Sequence, residues 1–184
     1  MSTTIYTSNG KILVNGSNNK WLKAPVVVPV QVGNQIWSNK NLAIDDGGAG
    51  ISTATINYGQ GDVVEHYYTF DAAVRVAASV TGWHLPTKDE WQTLISYIGS
   101  SNKNKLKSTY GWSNSGSGTD DYGFSAFPAG NSTDHLYKTA ANFWSSTGDS
   151  GDEEKGYLVI LSSVFALYTG NKTNGYSIRL IKDS

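Results

Sequence analysis

Three histidines are available for metal binding or acid–base work, His66, His84 and His135. They lie far apart in sequence, with no HExxH and no paired-ligand spacing. Cysteine is absent, which removes disulfides, thiolate metal sites and cysteine nucleophiles and leaves the redox compartment open. Gly47-Gly48-Ala49-Gly50 lacks the Lys-Ser or Lys-Thr that completes a phosphate loop, and no nucleophile elbow occurs. What remains is a set of acids: Asp45, Asp46, Asp120, Asp121, Asp149, Asp152, Glu153 and Glu154. A pair of them could serve glycoside hydrolysis, but none stands in a pattern that separates it from a solvated loop acid, so no enzyme is expected. Thr119-Asp120-Asp121 and the run Asp149 to Glu154 could hold a structural calcium through loop oxygens. Plain solvated acids are the simpler reading, and no other cofactor is expected.

The elements that must position such groups are constrained by composition. The chain has 184 residues, 39% hydrophobic and only 16% charged, with 20 glycines, 11 tyrosines and 6 tryptophans. Turns, short strands and aromatic packing fit this better than a helical bundle. The length suits one domain, or one domain plus a short N-terminal module. A formal net charge of -1 argues against nucleic-acid partners, and the densest basic run, Lys103 to Lys107, is short. No apolar run reaches membrane-spanning length, so no membrane insertion is expected. Met1 to Asn9 is polar and lacks a signal-peptide core. An extracellular location would then require a leader already removed or carriage in a virus particle.

Along the chain, residues 1–29 read as a small β element, in which Ile12 to Val14, a turn at Asn15 to Asn19, and Trp21-Leu22 form a hairpin. Pro25 and Pro29 bracket a connector. A second β stretch runs from Val30 to Asn41 with its turn at Gly33-Asn34, and residues 45–62 read as a long loop. Phe70, Ala73, Val74, Ala77 and Ala78 fall on one helical face, with Gly82 as the stop. Thr87-Lys88-Asp89-Glu90 is a capping box, followed by the stripe Trp91, Leu94, Ile95 and Ile98 and a stop at Gly99. Residues 100–135 read as long ordered loops anchored by Trp112, Tyr122, Phe124 and Phe127. Strands return at Tyr157 to Leu161, Val164 to Tyr168 and Tyr176 to Ile181. The sum is an α+β domain over residues 30–184.

Several motifs occur in order. Val32-Gly33-Asn34-Gln35-Ile36-Trp37 with Asn41-Leu42 opens the set. Gly82-Trp83-His84-Leu85-Pro86 with Glu90-Trp91 follows, then Leu106-Lys107, Gly111-Trp112, and Asp121-Tyr122-Gly123-Phe124-Ser125-Ala126 with Pro128-Ala129-Gly130. Phe143-Trp144-Ser145-Ser146-Thr147 and Gly175-Tyr176-Ser177-Ile178-Arg179 close it. This ordered set resembles the Fibrobacter succinogenes major paralogous domain over about residues 30–182. The resemblance implies a C-type-lectin-like fold near the formylglycine-generating-enzyme group, with N- and C-terminal strands paired, two helices and a loop-rich half that carries binding. The formylglycine-generating activity requires cysteines, which this chain lacks. The Glu-Pro-Asn, Gln-Pro-Asp and Trp-Asn-Asp triplets of calcium-dependent sugar binding are also missing. His84 and Trp37, Trp83, Trp91, Trp112 and Trp144 lie inside the motifs and read as structural; Trp21 lies outside them.

The resemblance also implies a relation to variable proteins diversified by retroelements in phages and bacteria, mutated at adenine-rich Asn codons. Asn171 to Ser177 is similar to the end of such a segment. By that analogy Val159, Leu161, Val164, Ala166, Tyr168, Thr169 and Gly170 are mutable, while Leu158, Ile160, Ser162, Ser163 and Phe165 are scaffold. If Ser162-Ser163 is a turn, side-chain alternation sends Val159 and Leu161 to the face opposite Leu158 and Ile160. The candidate ligand-binding residues are therefore Asp149, Val159, Leu161, Val164, Ala166, Tyr168, Thr169 and Gly170, an apolar patch with polar handles suited to a protein or cell-surface receptor. A strand buried on both faces would read the same way. The expected setting is a virion or bacterial surface, with room for a homo-oligomer. A fixed structural or adhesion module, or a carbohydrate-binding domain, are the competing readings.

Overall fold

The computed structural model describes the backbone of Ile5–Ser8, Lys11–Val14 and Leu22–Lys23 and, in full, residues 27–184. The first three segments are strands β1, β2 and β3, which form an antiparallel sheet in the order β1-β2-β3, with Ile12 opposite Leu22. The hairpin expected there is present, and Ile5–Ser8 adds a strand that the pattern did not reveal. The expected turn at 15–19, Trp21 and Pro25 lie outside the described residues.

Beyond residue 27 the architecture is α+β. Strands β4 (Pro29–Val32) and β5 (Gln35–Ser38) form a hairpin closed by Gly33-Asn34, with Gly33 at φ 61° where a side chain would be strained. β6 (Ile51–Asn57) and β7 (Asp62–Tyr68) form a second hairpin in unbroken antiparallel register, Ile51 opposite Tyr68 and Asn57 opposite Asp62. This corrects the loop expected over residues 45–62. Gly, Asp, Ser and Thr dominate that stretch, but Ile51, Thr53, Thr55 and Ile56 are β-branched and fit a pleated surface. The turn residues are confined to the positions between the strands.

Helix α1 (Phe70–Ala77) buries Phe70, Ala72, Ala73, Val76 and Ala77, while Val74 is exposed. The apolar face is thus rotated from the expected one: Ala72 and Val76 face the core, while Val74 and Ala78 are exposed. Gly82, at φ 79°, turns the chain into β8 (Trp83–His84). Helix α2 (Lys88–Ile98) has the expected reciprocal cap. The Glu90 amide donates to Thr87 Oγ1 at 3.2 Å, and the Thr87 amide donates to Glu90 Oε2 at 2.7 Å. Trp91, Leu94 and Ile98 are buried, and Gly99 at φ 70° ends the helix. A 3₁₀ helix covers Ser100–Lys105.

The C-terminal half is built on β9 (Ala141–Gly148), β10 (Lys155–Leu161) and β11 (Phe165–Asn171), an antiparallel sheet in the order β11-β10-β9. The final stretch is regular strand only at β12 (Ile181–Lys182). Residues before it attach through single bridges, Tyr176 to Tyr68 and Ser177 to Phe143. β12 pairs with both β5 and β8, giving the sheet order β4-β5-β12-β8 and joining the ends of the 30–182 region.

Two buried clusters cover opposite faces of the β9–β11 sheet. One gathers Trp37, Trp91, Leu94, Phe124, Phe143, Val159 and Leu161 under α2; the other gathers Phe70, Val76, Trp144, Leu158 and Tyr176 under α1. Aromatic edges and faces interlock, with Trp37 and Trp91 centroids 4.6 Å apart and Trp144 and Tyr176 also 4.6 Å. Indole N–H groups staple the layers: Trp91 donates to the Trp144 carbonyl at 3.2 Å and Trp144 to the Tyr68 carbonyl at 2.7 Å. Trp37, Trp91, Trp112 and Trp144 are therefore core residues, and Trp83 is half-buried. Gly156 is dictated by packing, since a Cβ there would run into the Phe70 ring. Of the loops expected over 100–135, residues 100–105 instead form the 3₁₀ helix; of the expected anchors beyond it, Trp112 and Phe124 are buried and Tyr122 and Phe127 half-buried.

Candidate functional site

The site begins with a charge in the apolar stretch that leads into β12. Arg179, flanked by Ile178 and Leu180, is completely buried, and a guanidinium there needs several acceptors. It donates from Nε to Asn41 Oδ1 at 2.9 Å, from Nη1 to the carbonyls of Ser38 (2.9 Å) and Phe124, and from Nη2 to the Ser125 carbonyl at 2.7 Å. Its plane lies over Phe124 at 4.5 Å and Phe143 at 5.4 Å. One arginine thus ties the end of β5, the 120–126 loop and the C-terminal segment together. Burial pulls its pKa down to about 9, against the attraction of Glu65 and Asp120, so it stays charged near neutrality.

Glu65 on β7 supplies the counter-charge. Asn41 Nδ2 donates to Glu65 Oε2 at 3.1 Å and Tyr58 Oη donates to Oε1 at 3.1 Å. Burial raises the Glu65 pKa; the hydrogen bonds from Asn41 and Tyr58 and the Arg179 charge oppose that rise. Burial, then Glu65 itself, raises the Tyr58 hydroxyl.

Above this network opens a cleft of about 420 Å³, lined among others by Asn41, Glu65, His66, Tyr110, Asp120 and Phe127. Phe127 forms its aromatic wall, with Tyr110 at 4.9 Å and Tyr58 at 5.3 Å between ring centroids. His66 Nδ1 is buried and has no hydrogen-bond partner among the described residues. Asp120 is occupied within its own loop, accepting from the Ser125 amide at 2.6 Å and from the Ser125 hydroxyl. The sequence offered no local signal for this cleft, since its floor joins residues 24 and 138 positions apart in the chain.

The acids singled out for chemistry or calcium are dispersed. Asp46 pairs with Arg75 at 2.8 Å, Asp121 with Lys105 at 3.4 Å and Asp152 with Lys155 at 2.8 Å, and Asp149 accepts from the Gly151 amide at 3.0 Å. Among the described residues, no three His, Asp or Glu side chains gather as metal ligands. The histidines have separate partners: His84 bridges Asp183 (2.7 Å) and Glu90 (2.9 Å), and His135 meets Tyr137 Oη at 2.9 Å.

The expected recognition strand divides into two classes. Val159 and Leu161 are fully buried, which corrects their assignment to an outward patch. β10 is the central strand of its sheet; its face bearing Val159 and Leu161 is covered by the α2 cluster, and Leu158 on the other face by the α1 cluster. Ile160, assigned to the scaffold, is the half-exposed member. β11 is an edge strand where Tyr168 (43% exposed) and Thr169 reach solvent and Ala166 is half-buried; Val164 (41%), in the turn just before it, is also exposed. Ala166 lies opposite Ile160 and Tyr168 opposite Leu158, so the patch is Ile160, Val164, Ala166 and Tyr168. Gly170 is not freely replaceable: a Cβ would stand 3.0 Å from both Leu158 Cδ2 and Tyr176 Oη. Asp149 lies in the β9–β10 turn, next to the Gly156–Gly170 end of the hairpin and away from Val164.

Among the described residues, no helix is long and apolar enough to cross a membrane. Comparison with curated proteins and with solved structures returned no match. The family model for the Fibrobacter succinogenes major domain does match, over residues 30–182, the region framed by the β5–β12 pairing and pinned by Arg179, and the chain belongs to that family.

Proposed function

We propose that this chain is a non-catalytic ligand-binding module on a C-type-lectin-like frame, recognising a protein or cell-surface receptor through the outer face of β11 and the hairpin tip. The observation that carries this reading is the division of labour within β11. Phe165 is buried and Leu167 packs on the core, while exposed Tyr168 and half-buried Ala166 lie on the opposite face of the strand and Val164, in the turn just before it, is exposed. A rigid strand that presents an apolar patch with a tyrosine handle suits protein recognition. Its exposed positions can change at a stability cost within about 0.5 kcal/mol. The pairing of β5 with β12, the two helices and the long loops support the C-type-lectin-like frame. A binding role is supported by Glu65 and Asp120 each accepting protein hydrogen bonds on both carboxylate oxygens.

The setting we assign is a virion or bacterial surface, with the exposed β11 positions varied by a retroelement. Reading the DNA around the gene tests this. A second, near-identical copy of the codons for roughly residues 140–180, differing only at adenines and beside a reverse transcriptase, is the expected result. A lone copy would return the chain to a fixed adhesion or assembly module.

The cleft over Glu65 favours a second reading. Its aromatic wall and polar floor suit a small polar ligand such as a sugar. Glycan-array binding abolished by Phe127→Ala, with β11 variants unaffected, would move the assignment there.

A further inference from the structure

A groove beside the tip of the β10–β11 hairpin carries chemistry that the β11 patch does not use. It encloses about 330 Å³, and its lining includes Lys103, Lys107 and Lys138 but no aspartate or glutamate; Ser162 and Ser163 of the hairpin turn form one edge. Among the described residues, none of the three lysines forms an ion pair.

Lys107 is the centre of the arrangement. The residue is only 5% exposed, and its ammonium group sits 4.2 Å over the Trp112 ring. Its hydrogen bond, to the Gly116 carbonyl, is long at 3.4 Å. Burial and then the charge of Lys103 push its pKa down. A buried ammonium beside a like charge is poorly compensated by one distant carbonyl and a ring face. The lip of the groove is held in place. The Ser113 amide donates to the Lys138 carbonyl at 2.7 Å, and Asn114, Ser115 and Lys138 all take left-handed backbone conformations, at φ 55°, 56° and 66°. Two of them, Asn114 and Lys138, line the groove, and non-glycine residues held in that region by their surroundings recur at ligand sites.

We propose that this groove binds an oxyanion, a carboxylate, sulfate or phosphate carried on a small polar ligand. The ammonium groups of Lys103, Lys107 and Lys138 supply charge-assisted hydrogen bonds, and the amides of Asn104 and Asn114 serve the rest of the ligand. The inference is independent of what docks on β11.

The test is a titration of the full chain followed by ¹⁵N–¹H correlation spectra at constant ionic strength. Sodium sulfate, sodium phosphate and sodium glucuronate are added separately in exchange for chloride. Saturable shifts of the Trp112 indole N–H and the Gly116 amide are expected with at least one probe, and the tightest of the three identifies the oxyanion. In Lys103→Gln/Lys138→Gln, which leaves the buried Lys107 in place, affinity should fall about tenfold. Should that pair disturb the native spectrum, exposed Lys138→Gln alone is read for the same direction of change. Shifts that stay linear with all three probes, or saturation of equal strength in the variant, would overturn the proposal.

Discussion

Arg179 and Glu65 face each other across a single amide: Asn41 accepts from Arg179 Nε at 2.9 Å and donates to Glu65 Oε2 at 3.1 Å. The side chain of Asn41 is therefore fixed in orientation by opposite charges, and with it the start of the segment leading from β5 toward β6. Replacing Arg179 by Met would strand the carbonyls of Ser38, Phe124 and Ser125 and leave Glu65 buried without its counter-charge. Truncating one member of a buried, hydrogen-bonded charge pair costs about 3–5 kcal/mol. Urea denaturation of Arg179→Met should show a loss of that size, and a loss below about 1 kcal/mol would mean that the cage is not what fixes the loops.

Within the β10–β11 hairpin, neighbours that look alike in sequence occupy different environments. Leu161→Ala should cost about 2–5 kcal/mol, as large-to-small changes in cores do. Val164→Ala and Tyr168→Ser should stay within about 0.5 kcal/mol. Thermal unfolding of the three variants checks this, and equal losses in all of them would remove the distinction between core and surface positions. Gly170→Ala should fall between, because its Cβ would press on Leu158 and Tyr176.

His84 provides a pH signature. Burial alone would lower its pKa, but the hydrogen bonds to Asp183 and Glu90 more than offset this, so it lies above its ordinary 6.5. A histidine raised in the folded state contributes stability that is complete below about its unfolded value and is lost as pH rises through the folded one. Glu90 runs the other way. Burial raises it, but the Thr87 amide, the His84 hydrogen bond and the Thr87 hydroxyl lower it overall from 4.5. Its contribution is present above the unfolded value and lost as pH falls through the folded one. The stability difference between the parent and His84→Gln should therefore be largest between about pH 5 and 6.5 and shrink toward pH 8. A difference that stays flat over that span would show that the bridge does not titrate with folding.

The α2 cap makes the fourth prediction. Thr87→Ala removes the acceptor for the Glu90 amide and should cost about 1 kcal/mol, measured by chemical denaturation. Thr87→Ser should restore most of it, since its hydroxyl can take the same bond; failure of that rescue would mean the methyl group, rather than the cap, matters.

These residues also show what a sequence can reveal. The cap at Thr87 and the stripe Trp91, Leu94 and Ile98 were legible because the signal is local and helical spacing is unambiguous. The ordered motifs were legible for the same reason, and they led to the family. The β6–β7 hairpin was hidden because its polar composition resembles a loop, although its β-branched residues mark strands. The burial of Val159 and Leu161 was hidden because alternation distinguishes the two faces of a strand but does not say whether both are covered. The Arg179–Asn41–Glu65 cage is long-range: Asn41 and Arg179 fall in the first and last motifs, but nothing local says that they meet, and Glu65 lies outside the motifs.

Sequencing sister copies of the gene across residues 157–170 tests whether the outer face of β11 is the recognition surface. Substitutions are expected to concentrate at Val164, Ala166 and Tyr168, with Val159, Leu161, Phe165 and Gly170 held apolar or small. Substitutions spread evenly over buried and exposed positions, or a β11 face no more variable than α2, would contradict it.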